Sequence, residues 1–191
     1  MAISTENTKL GKIHNISLRP VADCGSCKHC RDNCYALKAY RQYPDTRASW
    51  DANSKMARLD PLIYEAMLNA WLMTRKPRFF RLFVSGDFLS QAHVDIHVRV
   101  ARRNPGTKFL AFTKMHDLDF SAAPSNMSIV LSRWIGDTEP ANPLGLRMAW
   151  YQDGTETRVP DNAIPCSDKC DKCFKCWSLK SIGRDIVLNA H

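Results

Sequence analysis

No run in this sequence approaches the roughly 20 consecutive apolar residues needed to cross a bilayer, so no membrane-spanning helix is expected. The opening, MAISTENTKLGKIH, lacks a basic region followed by an apolar stretch, which argues against a secretion signal. There is no repeat of fixed period, no low-complexity tract and no linker-like segment, so a single domain over residues 1–191 is expected. Cysteine is missing from the whole middle of the chain. All eight cysteines fall in two groups, one near each end. A chain kept in a reducing cytoplasm gains little from disulfides, and there such groups read as metal ligands.

What is present is the balance of a globular protein: 45% apolar and 24% charged residues over a length that can bury a core. The formal charge of +8, from 27 Lys+Arg against 19 Asp+Glu, raises nucleic acid as a partner class. Thiolate ligation of two four-iron clusters at roughly −2 each would lower that to about +4, so charge alone does not establish nucleic-acid binding.

Short β-rich runs recur with helical or loop spacers between them. Strands are expected at Ile13–Leu18, Phe79–Val84, Lys108–Phe112, Ser128–Leu131 and Leu146–Tyr151. Asp60-Pro61 reads as an N-cap followed by proline at the first helical position, opening a helix to about Arg75. Another helix is expected from about Thr46 to Leu59. The segment Val94–Val100 alternates like a strand, yet it lies between two better strands, with Ser90 placed as an N-cap and Asn104-Pro105-Gly106 as a stop. Parallel neighbours need a crossover, usually helical, so the segment is assigned as a helix. The expected fold is a single α/β domain with a mostly parallel sheet of five or six strands. The chain is too short for a full eight-stranded barrel, so an open sheet or partial (β/α) barrel with cysteine loops from both termini is expected.

Cys24, Cys27, Cys30 and Cys34 form a C-x2-C-x2-C-x3-C run, while Cys166, Cys170, Cys173 and Cys176 repeat those spacings in reverse. Two-residue spacers let thiolates converge on one inorganic core, and the first run has the spacing of bacterial ferredoxins, with Tyr35 where those have proline. The expected cofactors are one or two [4Fe-4S] clusters. Zinc is the competing metal, although its four-thiolate sites usually consist of two knuckles separated by a longer loop. Each group either holds its own cluster, exchanges Cys34 and Cys166 between clusters, or leaves one iron open to substrate. His29 reads as a solvated loop residue. His93 and His97, four apart, read as one solvated helix face rather than as a metal pair.

Parallel α/β sheets gather ligands at the carboxyl ends of their strands. Those ends read Ser85-Gly86-Asp87-Phe88, Thr113-Lys114-Met115-His116, Ser132-Arg133-Trp134 and Gln152-Asp153. Asp87 and Lys114 are the candidate catalytic residues, and Ser85, Gly86 and Arg133 the candidate cofactor-binding residues. The alternative is that these are ordinary polar residues capping a sheet.

Several of these elements together resemble the bacteriophage family called gene product 88. They are Cys30-x3-Cys34-Tyr35-Ala36, Phe83-Val84-Ser85-Gly86-Asp87-Phe88 followed by Ser90, Asn104–Phe109 leading to Phe112-Thr113-Lys114, and Cys173-x2-Cys176-Trp177. The resemblance runs from about Ile16 to Trp177, and it implies host-cell cytoplasm as the location without naming a reaction. A looser similarity links the chain to radical S-adenosylmethionine enzymes, which place a cysteine loop after the first strand and a Gly-Gly-Glu-type motif after the second. That similarity implies a bound S-adenosylmethionine. The cysteine spacing departs from it, since C-x3-C-x2-C occurs here only in the terminal group. The expected function is a redox-active iron–sulfur enzyme with a reductase or ferredoxin as electron donor. A ferredoxin-like carrier and a nucleic-acid-binding module with structural metal are the alternatives.

Overall fold

Aromatic and β-branched runs form the strands expected of them. The structure, a computed structural model, describes residues 1–5, 8–25, 30–31, 34–138 and 140–189, so Cys27 and His29 lie outside it. Five strands fall on the expected segments: β1 (His14–Ile16), β2 (Phe79–Leu82), β3 (Lys108–Thr113), β4 (Met127–Arg133) and β5 (Arg147–Gln152). Two short strands that the sequence did not announce extend the sheet, β6 (Ile164–Pro165) and β7 (Ile186–Asn189). Among the described residues all seven pair in parallel in the order β1-β2-β3-β4-β5-β7-β6. The sheet is open, with β1 and β6 at its edges, as in a partial barrel.

The helices before β5 are α1 (Tyr35–Gln42), α2 (Pro44–Leu59), α3 (Pro61–Arg75) and α4 (Gln91–Arg103). The alternating segment Val94–Val100 is helical, because Ser90 accepts from the backbone N–H of His93 and starts α4 there. Asp60 does precede α3, but its side chain makes no capping hydrogen bond. Glu65 of α3 is clamped by Arg99 at 2.6 Å and Arg103 at 2.9 Å, which fixes α3 against α4.

Strand alternation sorts side chains onto two faces. Ile16, Phe80, Leu82, Phe109, Ala111, Met127 and Ile129 pack beneath Ala57, Tyr64, Leu68, Leu72, Val94 and Val98, so α2, α3 and α4 seal one face. Leu110, Val130, Ala149 and Ile186 point the other way, where Trp177 and Leu179 cover them. These belong to the terminal cysteine segment, made of α5 (Cys170–Cys173), a 3-10 turn (Lys175–Ser178) and α6 (Leu179–Ile182). Phe174 stacks on Phe79 with ring centroids 4.4 Å apart, and Trp177 donates to the Phe80 carbonyl at 3.4 Å.

His93 and His97 are not on a solvated face, contrary to expectation. They are only 3% and 2% exposed, because α4 turns them inward against Tyr64, Phe83 and Phe88. Their Nε2 atoms are 3.3 Å apart, Tyr64 Oη is 3.2 Å from His97, and His93 Nδ1 accepts from Leu89 N–H. Burial pushes His93 down to about 4 and lowers His97 as well. The unfolded chain therefore binds more protons than the folded one between about pH 6.5 and 4.

The histidines' share of stability should accordingly be full above pH 6.5 and be lost as pH drops towards 4, with His93 alone accounting for a loss of about 3 kcal/mol. Urea unfolding across that range checks it. Replacing both residues, as His93→Asn with His97→Gln, should flatten the pH dependence of the folded form.

Candidate functional site

The face opposite α2, α3 and α4 carries a cavity of about 680 Å³ beside the terminal segment. Its floor consists of every second residue of the strands: Arg81, Leu110, Phe112, Ser132, Ala149 and Tyr151. Its rim consists of Cys24, Cys30, Cys34 and Tyr35 from one end of the chain and Cys166, Cys170 and Cys176 from the other. Ser85, Gly86, Asp87, Lys114 and Arg133 line it too, so the candidate residues from the strand ends and both cysteine groups share one space. Cys173 lines a smaller adjoining pocket with Cys166, Cys170 and Cys176.

The first cysteine loop is pinned from beneath. Asp23 is 1% exposed and receives Ser54 Oγ at 2.5 Å, the Arg58 guanidinium at 2.5 and 2.8 Å, and the Arg19 amide at 3.0 Å. Burial alone would raise its pKa, but those donors hold the carboxylate below its usual range. Val21 adopts a left-handed backbone at φ +65°, and its N–H reaches Cys24 Sγ at 3.2 Å. Leu37 N–H reaches Cys34 Sγ at 3.4 Å, where Cys34 caps α1. Amides directed at sulfur suit thiolate, and so does the positive end of a helix dipole. The terminal group is held by Cys170 N–H to the Lys9 carbonyl at 2.9 Å, Cys166 N–H to the Val187 carbonyl at 2.9 Å, and a Lys9–Asp168 ion pair at 2.5 Å.

All the described cysteines are free thiols. Burial pushes Cys24 up to about 11 and Cys176 up to about 12, and it raises Cys170. Such thiols stay neutral unless a metal or a cation deprotonates them. Among the described residues no three His, Cys, Asp or Glu side chains are grouped closely enough to hold a single metal ion.

Asp87 brackets the strand ends. It is 5% exposed and accepts from Phe88 N–H at 2.8 Å, Thr113 Oγ1 at 2.7 Å and Lys114 N–H at 2.8 Å, while its own N–H bonds the Asp23 carbonyl at 2.7 Å. One carboxylate thereby ties β2, β3 and the cysteine loop together. Burial outweighs these donors and pushes it up to about 6. Gly86 before it, at φ +76°, passes so close to Leu18 that an added Cβ would stand 2.6 Å from that residue's Cβ. Lys114 Nζ lies 4.8 Å above the Trp134 ring, which stacks on Tyr151 at 3.6 Å. Arg133 is 2% exposed, with its guanidinium 4.7 Å over Trp150 and bonded to the Asp137 carbonyl.

Not every strand-end residue joins them. His116 bonds the Ser132 carbonyl at 2.9 Å, Gln152 turns back to the Glu156 carbonyl, and Asp153 bonds Thr155. His116 thus ties its loop to β4 while the other two serve their own loop, and none of the three lines the cavity. Sequence reading also passed over Arg81, Asp23, Tyr35, Trp134 and Tyr151. Arg81 carried a signal, as the only charge within the apolar run Phe79–Val84, where a buried parallel strand should be continuously hydrophobic.

Asp87→Asn should keep the Oδ1 acceptor and lose the partner of Lys114 N–H, destabilising the fold by about 1–3 kcal/mol. Because the native pKa is raised from 3.8 to about 6, Asp87's contribution to stability is full below about pH 3.8 and lost as pH rises through 6. The variant's deficit should therefore widen as pH is lowered through 6, which unfolding curves at pH 7.5 and 5 would read.

No curated protein and no solved structure matches the chain. A family model described as Gene product 88 matches residues 2–179. That span takes in both cysteine groups, the Asp87 bracket and every strand but the last, so the chain belongs to the gene product 88 family.

Proposed function

We propose that this chain is an iron–sulfur enzyme, holding one or two [4Fe-4S] clusters on its cysteine groups and acting on a small molecule in the adjacent cavity. The observation that carries the reading is the shared space: thiols from both ends of the chain open onto the cavity that Asp87 and Lys114 line. The donor set fits a cluster. Four thiols from each end with two-residue spacers are the set such a cluster takes, whereas four-thiolate zinc sites usually consist of two knuckles separated by a longer loop. In a cluster each thiolate binds a different iron. Cys24, Cys27, Cys30 and Cys34 would hold one, and Cys166, Cys170, Cys173 and Cys176 the other.

A bound cluster supplies single electrons, which calls for a reductase or ferredoxin as donor. The chain's own residues supply the rest. Asp87, raised to about 6, exchanges a proton near neutral pH through the lone pairs its three donors leave open. Lys114 presents a cation over Trp134 at the same mouth. A plain electron carrier needs no cavity of this size, and nucleic-acid binding rests only on the positive balance.

A second reading narrows the chemistry to a radical S-adenosylmethionine type. It rests on the open parallel barrel in which the first cysteine loop follows β1 and Ser85-Gly86-Asp87 follows β2, both facing one cavity. Here Ser85, Gly86 and Arg133 would contact the cofactor.

Protein purified anaerobically from iron-replete cells should contain iron with an equal amount of acid-labile sulfide. Cys34→Ser and Cys176→Ser should each lower both without removing them entirely. Zinc in place of iron would overturn the proposal. Reduction in the presence of S-adenosylmethionine should release 5′-deoxyadenosine if the second reading holds, and no product would reject it alone.

A further inference from the structure

Arg81 is the residue that the proposed chemistry leaves unused. It projects from the middle of β2 into the cavity, with its guanidinium 4.1 Å over the Phe112 ring. Among the described residues it makes no hydrogen bond and no ion pair. Its Nε is enclosed without a partner, while the terminal nitrogens stay accessible from the cavity. Four N–H donors in a planar fork thus face empty space, the geometry that matches a carboxylate or phosphate two bonds at a time. Ser85 Oγ is a second enclosed polar atom without a partner on the same wall. Of the other cations lining the cavity, Lys9 is paired with Asp168, Lys114 lies on the face of Trp134 and Arg133 on that of Trp150, while Lys169 is exposed at the rim. Across the cavity, Tyr151 stacks on Trp134 at 3.6 Å and 11°, and because Lys114 lies over the other face of Trp134 it is Tyr151 that presents the outer face of the pair. The volume of about 680 Å³ is that of a small-molecule site.

The geometry points to a substrate that carries an oxyanion and a planar ring: its carboxylate or phosphate is held by Arg81 and its ring lies along the Trp134–Tyr151 wall. This rests on the proposed enzyme reading and names the class of molecule that occupies its cavity. Asp87 and Asp168 are the carboxylates lining the cavity, and both are already engaged, so the open cation is left for the ligand. Tyr35, Cys176, Cys170 and Asp87 all lie within Coulombic reach of Arg81, so the guanidinium has one competing role, as counter-charge to these groups and to a cluster beside them.

Calorimetric titration of anaerobically purified protein with phenyl phosphate, benzoate and benzyl alcohol separates these roles. Both anions should bind more tightly than the neutral alcohol, and the tighter of the two identifies the oxyanion as phosphate or carboxylate. Arg81→Gln should weaken anion binding at least tenfold with iron and sulfide unchanged. Arg81→Lys, which keeps the charge and loses the fork, should weaken it severalfold and serves if the glutamine variant does not fold. Tyr151→Ala should weaken phenyl phosphate and leave inorganic phosphate unaffected. The inference is overturned if the alcohol binds as well as the anions, if no anion binds, or if the Arg81 variants bind normally. It is overturned equally if Arg81→Gln loses iron instead of anion affinity. If the protein contains no iron but binds anions through Arg81, the cluster reading falls and the anion site stands.

Discussion

A parallel sheet whose long helices all pack on one side leaves an apolar face that water cannot be allowed to reach. That constraint organises this molecule. With α2, α3 and α4 all on the side of Phe80, Leu82 and Phe109, the side of Leu110, Val130 and Ala149 must be covered by something else. The last turns of the chain provide the cover, with Trp177 and Leu179 at 5% and 1% exposure. Two buried side chains of this size stabilise by about 3–6 kcal/mol, enough to hold a short, loop-rich segment in place. Because the cysteines lie immediately before Trp177, sealing the sheet also delivers Cys166, Cys170 and Cys176 to the cavity. Packing brings the two ends together. A metal bound there would then add its own free energy to an arrangement that packing has prepared.

The polar interior follows the same economy of placement. Asp23 fixes the first cysteine loop to α2 through Ser54 and Arg58, and its carbonyl receives the N–H of Asp87. Asp87 in turn fixes the end of β3. Two buried aspartates, linked backbone to backbone by one hydrogen bond, thus join the loop, β2 and β3 into one unit. Their pKa values move in opposite directions because they differ in partners: Asp23 has two guanidinium neighbours and stays low, whereas Asp87 has only neutral donors in direct contact and is raised by burial. Asp87 is therefore a structural bracket and a titratable group at the mouth, and substitutions there will report on both.

Five of the strands, the helical crossover at Ser90 and the grouping of the cysteines were legible because each rests on a local signal. An N-cap, a spacing or a β-branched run can be read within a dozen residues. Two things were not legible. The histidines of α4 looked solvated because polarity was taken as exposure, whereas α4 is turned by Val94, Val98 and Ala101 so that His93 and His97 share their buried face. The ring wall of the cavity was missed because Trp134 and Tyr151 are 17 positions apart and meet only through the β4–β5 pairing, in which Arg133 lies opposite Trp150. Arg81 is the intermediate case. The anomaly was visible in the sequence, but its meaning depended on knowing which face of β2 would be left without long helices.

The central claim is that the thiols from both ends of the chain hold iron–sulfur clusters facing a common cavity. The most direct test is electron paramagnetic resonance of the anaerobically purified, dithionite-reduced protein at helium temperatures. Two clusters on this rim should give fast-relaxing signals of reduced [4Fe-4S] centres, broadened by coupling between neighbours. A colourless protein without such a signal, with zinc bound to its cysteines, would contradict the account.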